Sequence, residues 1–89
     1  MTELSVSGTD EALGYLEEIA RGMIFLFPIT LDEARGRINR EFKDRAFLTE
    51  IEVNVLLHEE QDTWAKHVYY GRESCWWLGE DDLEPQPWP

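Results

Sequence analysis

Two histidines and the acids beside them are the residues of this chain that most resemble metal ligands. His58 is followed by Glu59 and Glu60, and His67 lies nine residues after His58. The zinc motif of metalloproteases needs two histidines four residues apart on one helix face, so that both ring nitrogens reach the same ion. The interval here does not provide that arrangement. We therefore expect capping or surface histidines, and the sequence predicts neither a metal site nor a cofactor.

Cys75 is the single cysteine and the candidate nucleophile, since a thiolate beside a histidine base can attack a carbonyl carbon. It is followed by Trp76 and Trp77, and apolar surroundings keep a thiol protonated and inert. Acids are too numerous for any pair to stand out as general acid and base. The chain also has no phosphate-binding glycine loop and no serine elbow. We expect a buried structural cysteine and a protein that is not an enzyme.

The charge of the chain favours a protein partner over nucleic acid. Nineteen acids against eight lysines and arginines give 89 residues a formal net charge of −11, which repels phosphate backbones and favours a basic partner. Residues 31–45 depart from this balance, with five basic residues against four acids. The interleaved acids predict a solvated helix surface with local ion pairs. An anion or nucleic-acid contact face and a self-association face are the alternatives.

The stretch from Trp64 to Trp88 holds all four tryptophans. Helical spacing predicts that Trp64 and Tyr69 belong to the core. Adjacent tryptophans point to opposite faces of an extended chain, so at least one of the pair at 76 and 77 is expected at an edge. Trp88 lies among prolines and either folds back or projects as an anchor. Acid-flanked aromatics suit contact with a basic protein, and we predict a partner-binding set of Trp76, Trp77, Trp88, Glu80, Asp81 and Asp82.

The first half of the chain predicts two amphipathic helices. Residues 1–8 show no sustained period and are expected to be a frayed lead-in. A helix then starts at Asp10, capped by Thr9 or Ser7, and beyond Gly22 it continues as a buried last turn or passes into a short buried strand before Pro28. A capping box of Thr30 and Glu33 starts a second helix, which is expected to reach about Asp44.

The second half is more ambiguous. Thr49 and Glu52 form another capping-box pattern, which predicts a helix from Glu50. Residues 51–57 alternate like a strand, yet they also carry two helical stripes, one of Ile51, Val55 and His58 and the other of Val53, Leu56 and Leu57. A fourth short helix is predicted with Asp62 as its cap and Gly71 as its end, followed by an aromatic turn or hairpin. Residues 79–89 are expected to form an extended, acidic and proline-rich tail.

Together these patterns predict a mainly α, single small domain of three to four short helices with a C-terminal aromatic turn or hairpin and an extended tail. The alternative is an α+β fold with a small antiparallel sheet of residues 51–57 and 69–78. No signal peptide, lipid anchor or transmembrane segment is evident, so a cytoplasmic protein with no membrane partner is expected. No motif identifies a family.

The function predicted from charge and aromatics is a small acidic protein-interaction module, in its most concrete form an immunity-like or antitoxin-like inhibitor of a basic partner. One alternative is a ligand-binding domain or small enzyme with an aromatic pocket. The other is a homodimer with a structural role. The pocket of the first alternative would be lined by Trp64, His67, Tyr70 and Trp76.

Overall fold

The computed structural model describes residues 2–71 and 85–88, and in this part of the chain the fold is mainly α-helical, as predicted. The four helices are α1 (Asp10–Leu26), α2 (Leu31–Glu41), α3 (Glu50–His58) and α4 (Gln61–Tyr70). Two very short strands, β1 (Ser7–Gly8) and β2 (Ala46–Phe47), pair in parallel. Residues 51–57 are helical, so the predicted alternative of a strand in that segment is wrong.

Helix α1 is the central element, since α2, α3 and α4 all pack against it. Its inward face supplies buried apolar side chains at spacings of three and four, which is the period of an amphipathic helix. α1 continues past Gly22 as helix, so the alternative of a strand there is wrong. Only part of that last turn is buried, because Phe25 is 88% exposed. The buried side chains of α1 are Ala12, Leu16, Ile19, Ala20 and Met23.

Threonine hydroxyls begin three of the four helices. Thr9 Oγ1 accepts from the backbone N–H of Ala12 at 3.2 Å, Thr30 Oγ1 from Glu33 at 3.1 Å and Thr49 Oγ1 from Glu52 at 3.2 Å. These bonds satisfy N–H groups that have no partner within the helix. Thr30 and Thr49 were predicted as caps, and Thr9 was one of two candidates beside Ser7. The pattern of capping residues thus places the starts of α1, α2 and α3 correctly.

Two helix boundaries differ from the prediction. α4 starts at Gln61 with Glu60 as its N-cap, so Asp62 lies inside the first turn and is not the cap. An acid within the first turn still interacts favourably with the helix dipole, which explains the misplaced boundary. α2 ends at Glu41, ahead of the predicted Asp44, and the backbone N–H of Phe42 donates to the Ile38 carbonyl to close the last turn.

The N-terminal segment packs on the helices, contrary to the frayed lead-in that was expected. Val6 is buried, and the pairing of β1 with β2 holds the residues after it. Asn39 of α2 bonds to this segment twice: its Oδ1 accepts from the Ser5 N–H at 2.7 Å, and its Nδ2 donates to the Glu3 carbonyl at 2.8 Å. The partners of residues 2–8 lie on α2 and β2, so no local pattern reveals them.

Three aromatic side chains of the core meet at the junction of α2, β2 and α4. Phe42 contacts Phe47 and Trp64 edge to face, with ring centroids 5.5 and 5.4 Å apart. Phe27 stacks on Tyr69 at 3.8 Å. Both Trp64 and Tyr69 are buried, which confirms their predicted place in the core.

Candidate functional site

Helix α3 is apolar on two opposite faces. Leu56 and Val53 point into the core and are buried. Ile51 and Val55 occupy the outer face and are 78% and 50% exposed, and Leu48, just before the helix, is 59% exposed. Because a helix turns about 100° per residue, 51 and 55 share one side while 53 and 56 share the other. Both helical stripes predicted from the sequence therefore exist, and the outer one lies open to solvent.

An open groove runs beside this outer stripe, between α3 and α4. Its volume is about 670 Å³, which is in the range of ligand-binding clefts. Trp64 forms part of its wall, and the indole Nε1 donates to the Leu56 carbonyl at 2.8 Å. That bond fixes the ring and satisfies a carbonyl in the last turn of α3. The groove is lined by Ile51, Asn54, Val55, His58, Glu59, Trp64 and His67.

The two histidines lie on the same groove, although their spacing in the sequence did not indicate it. The His67 ring meets Trp64 edge to face at 5.9 Å, and His58 and Glu59 lie where α3 ends. Within residues 2–71 and 85–88, no group of three or more histidine, cysteine, aspartate or glutamate side chains is placed to hold a metal ion. The histidines instead give the apolar groove polar, hydrogen-bonding edges.

The surroundings of the groove are strongly acidic. From Ala46 to Ala65 the sequence contains five acids and no lysine or arginine. Backbone and side-chain hydrogen bonds from Thr49, with another from the Leu48 N–H, lower the pKa of Glu52, so its charge persists into mild acid. The exposed members of the set are Glu50, Glu59, Glu60 and Asp62.

Tyr15 of α1 lies close to some of the same acidic residues. Its hydroxyl donates to the Glu59 carbonyl, which joins α1 to the turn between α3 and α4. Burial raises the pKa of Tyr15, and the carboxylates of Glu18, Glu60 and Glu59 raise it further. Three acids from two parts of the chain thus converge near the groove.

Of the predicted partner-binding residues, the structure describes one. Trp88 folds back onto α2, where its ring lies over the guanidinium groups of Arg37 and Arg40 at 5.6 and 5.1 Å, and it remains 37% exposed. The other five predicted residues lie outside the described part of the chain. They are Trp76, Trp77, Glu80, Asp81 and Asp82.

The aromatic pocket predicted for a ligand-binding domain is only partly formed by the described residues. Trp64 and His67 line the groove as that alternative requires. Tyr70 packs instead against Phe27, with ring centroids 5.5 Å apart, and Trp76 lies outside the described residues. Sequence reasoning missed the groove's exposed aliphatic residues as site residues. The second helical stripe of α3 indicated these residues, because a helix that is buried on one side needs only one apolar stripe.

Two of the three arginines of α2 form ion pairs with acids, as the sequence predicts, while Arg40 donates to the Pro87 carbonyl. Arg35 Nε lies 3.2 and 3.1 Å from the two carboxylate oxygens of Glu17 on α1, and Arg37 Nε donates to Glu33 at 2.8 Å. The prediction of a wholly solvated face is wrong, because Arg37 is only 4% exposed. Residues 85–88 and Tyr69 cover it, and the sequence offers no local sign of that cover.

Comparison with protein-family models, curated proteins and solved structures finds no match to this chain. Among the described residues, no helix is both long and apolar enough to cross a membrane. A function is therefore inferred from the side chains of the groove between α3 and α4 and of the surface around Arg37 and Arg40 on α2.

Proposed function

We propose that the protein is a small binding module that holds a basic, amphipathic helical segment of a partner protein in the groove between α3 and α4. The observation that carries this proposal is the outward apolar stripe of α3 within an acidic stretch of chain. In its most concrete form the module is an inhibitor of the immunity or antitoxin kind, which binds and covers part of a basic protein.

The apolar stripe suits a facing helix. Ile51 and Val55 lie four residues apart on α3 and both line the groove, which is a spacing with which helices dock in apolar grooves. Leu48 is exposed just before the helix but is not one of the lining residues. Four residues of helix span about 6 Å, so this pair matches about one turn of a partner helix. Contiguous exposed aliphatic residues rimmed by charge are typical of interaction surfaces. The side chains of this stripe supply the short-range contacts in the proposal.

The acids select the partner's charge. Five carboxylates lie between positions 46 and 65, a stretch without lysine or arginine that is flanked by Arg45 and Lys66. Their excess of negative charge repels an acidic helix and attracts a basic one. The net charge of −11 extends the attraction beyond the contact itself and speeds encounter at low ionic strength. A helix with lysines or arginines flanking an apolar face complements both features of the groove.

A model peptide tests the proposal directly. A labelled amphipathic helix of leucine and lysine, about four turns long, is titrated with the protein and followed by fluorescence anisotropy, beside a scrambled peptide of the same composition. We expect the helix to bind roughly tenfold more tightly than the scrambled peptide. The double variant Ile51→Gln/Val55→Gln should lose about tenfold in affinity, since it removes the stripe while leaving the charge unchanged.

Phe25→Gln is the matched control, because it removes an apolar side chain that is even more exposed, at the end of α1 and outside the groove, and should bind as the wild type does. Added salt should weaken the wild-type complex by screening the acids. Equal binding of both peptides, equal binding by the double variant, or no binding at any salt concentration would each overturn the proposal. Light scattering that shows a dimer dissociated by the double variant would identify a second copy as the occupant, and would also overturn it.

A further inference from the structure

Residues 85–88 lie along α2 and the end of α4 and are held by their backbone. The Gln86 N–H donates to the Tyr69 carbonyl at 2.9 Å, a group in the last turn of α4. Arg37 Nη1 donates to the Gln86 carbonyl at 2.8 Å, and Arg40 Nη1 donates to the Pro87 carbonyl at 2.7 Å. Charge-assisted donors thus contact two successive carbonyls of a segment that is neither helix nor strand.

Two glycines make room for the side chains of this segment. A Cβ atom at Gly36 would lie 2.5 Å from Cζ2 of Trp88, which is closer than carbon atoms can approach. A Cβ atom at Gly71 would overlap the side-chain amide of Gln86, and Gly71 also has a φ of 87°, a conformation that favours glycine. The glycines stand on separate elements, yet each leaves space for one side chain of the same short segment.

Arg37 is the centre of this surface. Among the described residues it is the one charged side chain that is buried. Its guanidinium lies between two aromatic rings, 5.0 Å from the centroid of Tyr69 and 5.6 Å from that of Trp88. A buried guanidinium is stable only when its N–H groups have acceptors, and Glu33 and the Gln86 carbonyl provide them. The segment therefore fills a site with matched donors, acceptors and aromatic faces.

We propose that this surface, formed by Gly36, Arg37, Arg40, Tyr69 and Gly71, is a binding site for an extended Gln-Pro-Trp peptide. The chain fills the site with its own residues 86–88, and the same sequence binds there in trans when the internal segment is weakened. The inference is independent of the groove on α3, which shares none of these residues.

The free peptide already favours the conformation in which it would bind. Prolines on both sides of Gln86 favour an extended backbone, so little conformational entropy is lost on binding. Pro87 has no N–H that would need an acceptor. The indole of Trp88 offers a face to two guanidinium groups, the geometry of a cation–π contact. An internal ligand competes at a high effective concentration, which is why the site has to be tested with that ligand weakened.

The test uses the full chain with Trp88→Ala and a labelled Glu-Pro-Gln-Pro-Trp peptide, followed by fluorescence anisotropy. We expect the variant to bind the peptide at least about tenfold more tightly than the wild type, whose own segment occupies the site. A peptide with alanine in place of tryptophan should not bind detectably. Adding Gly36→Val to the variant should abolish binding by filling the space for the ring. Adding Gly14→Val should not, because Gly14 is also helical but has nothing within 4 Å of a Cβ atom.

A second substitution keeps the test decisive if Gly36→Val prevents folding, as judged by circular dichroism. Arg40→Gln in the Trp88→Ala background removes the donor to the Pro87 carbonyl from a half-buried position, and it should weaken peptide binding about tenfold. Equal affinity of wild type and Trp88→Ala, retention of binding in folded Gly36→Val or in Arg40→Gln, or equal binding of the alanine peptide would overturn the proposal. Absence of binding to every form would do so as well.

Discussion

Gly36 of α2 lies directly beneath the indole ring of Trp88, with no room for a methyl group between them. Glycine inside a helix is otherwise unfavourable, by about 0.5–1 kcal/mol relative to alanine. The contact with Trp88 explains why a glycine is present at this position. The helix loses some intrinsic stability, and the ring of Trp88 gains a surface on which it can lie.

The first prediction concerns Gly36→Ala, whose effect on stability should depend on the residue at position 88. In the wild type the new methyl group displaces the ring, so the free energy of unfolding should fall or stay level. In the Trp88→Ala background the same substitution should raise it by about 0.5–1 kcal/mol, since only the helix propensity remains. Urea denaturation of the four proteins measures both differences. Equal stabilisation in the two backgrounds would show that the ring does not rest on position 36.

The second prediction separates the two faces of α3. Leu56→Ala should lower the free energy of unfolding by about 2–5 kcal/mol, because it leaves a cavity in the core. Ile51→Ala should change it by less than about 0.5 kcal/mol, because Ile51 is exposed. Val53→Ala should likewise cost more than Val55→Ala. In a strand, positions 53 and 55 would share a face, so similar costs for these two substitutions, measured by urea denaturation, would contradict the helix.

The third prediction is a pH dependence at the contact between α1 and α2. The hydrogen bond from Arg35 lowers the pKa of Glu17 below its ordinary value of 4.5; burial opposes this shift, and the charges of Arg35 and Arg21 add to it. A carboxyl whose pKa is lower in the folded state stabilises the fold above its unfolded pKa, and this stabilisation is lost as the pH falls through the folded value.

Glu17→Gln should therefore destabilise the protein at pH 7, and the difference from wild type should shrink as the pH falls below about 4.5. Thermal unfolding across a pH series measures the difference. Glu11→Gln, which removes an exposed carboxylate from the first turn of the same helix, controls for the change in net charge. A difference that stays constant down to pH 2–3 would mean that the ionised form of Glu17 is not responsible.

Part of the structure of α3 could be predicted from its sequence, and part could not. The capping box predicted where the helix starts, because Thr49 and Glu52 satisfy each other's backbone N–H groups within a few residues. Both helical stripes were visible in the sequence as well. Their spacing alone does not say which one the core covers, since that depends on how α1 and β2 pack against the helix. The exposed groove was therefore not predicted as a site.

The position of Trp88 required information that no local pattern holds. Proline spacing predicts an extended segment, and residues 85–88 are in neither helix nor strand and lie along α2 and the end of α4. Whether such a segment folds back depends on Gly36 and Gly71, each of which resembles an ordinary helix-weakening or helix-ending glycine when taken alone. The same holds for residues 2–8, whose packing depends on Asn39 and the pairing with β2.

Helix α2 holds two chain segments that are remote in sequence. Asn39 bonds to residues 3 and 5, while Arg37 and Arg40 bond to residues 86 and 87. A local opening of α2 thus removes the partners of both segments at once, so all three should behave as one cooperative unit in native-state hydrogen exchange. The Ser5 amide donates to Asn39 of α2. The Gln86 amide donates to the Tyr69 carbonyl of α4, but the segment that carries it is held on α2 by Arg37 and Arg40. The two amides should therefore share a single opening free energy although most of the chain separates them.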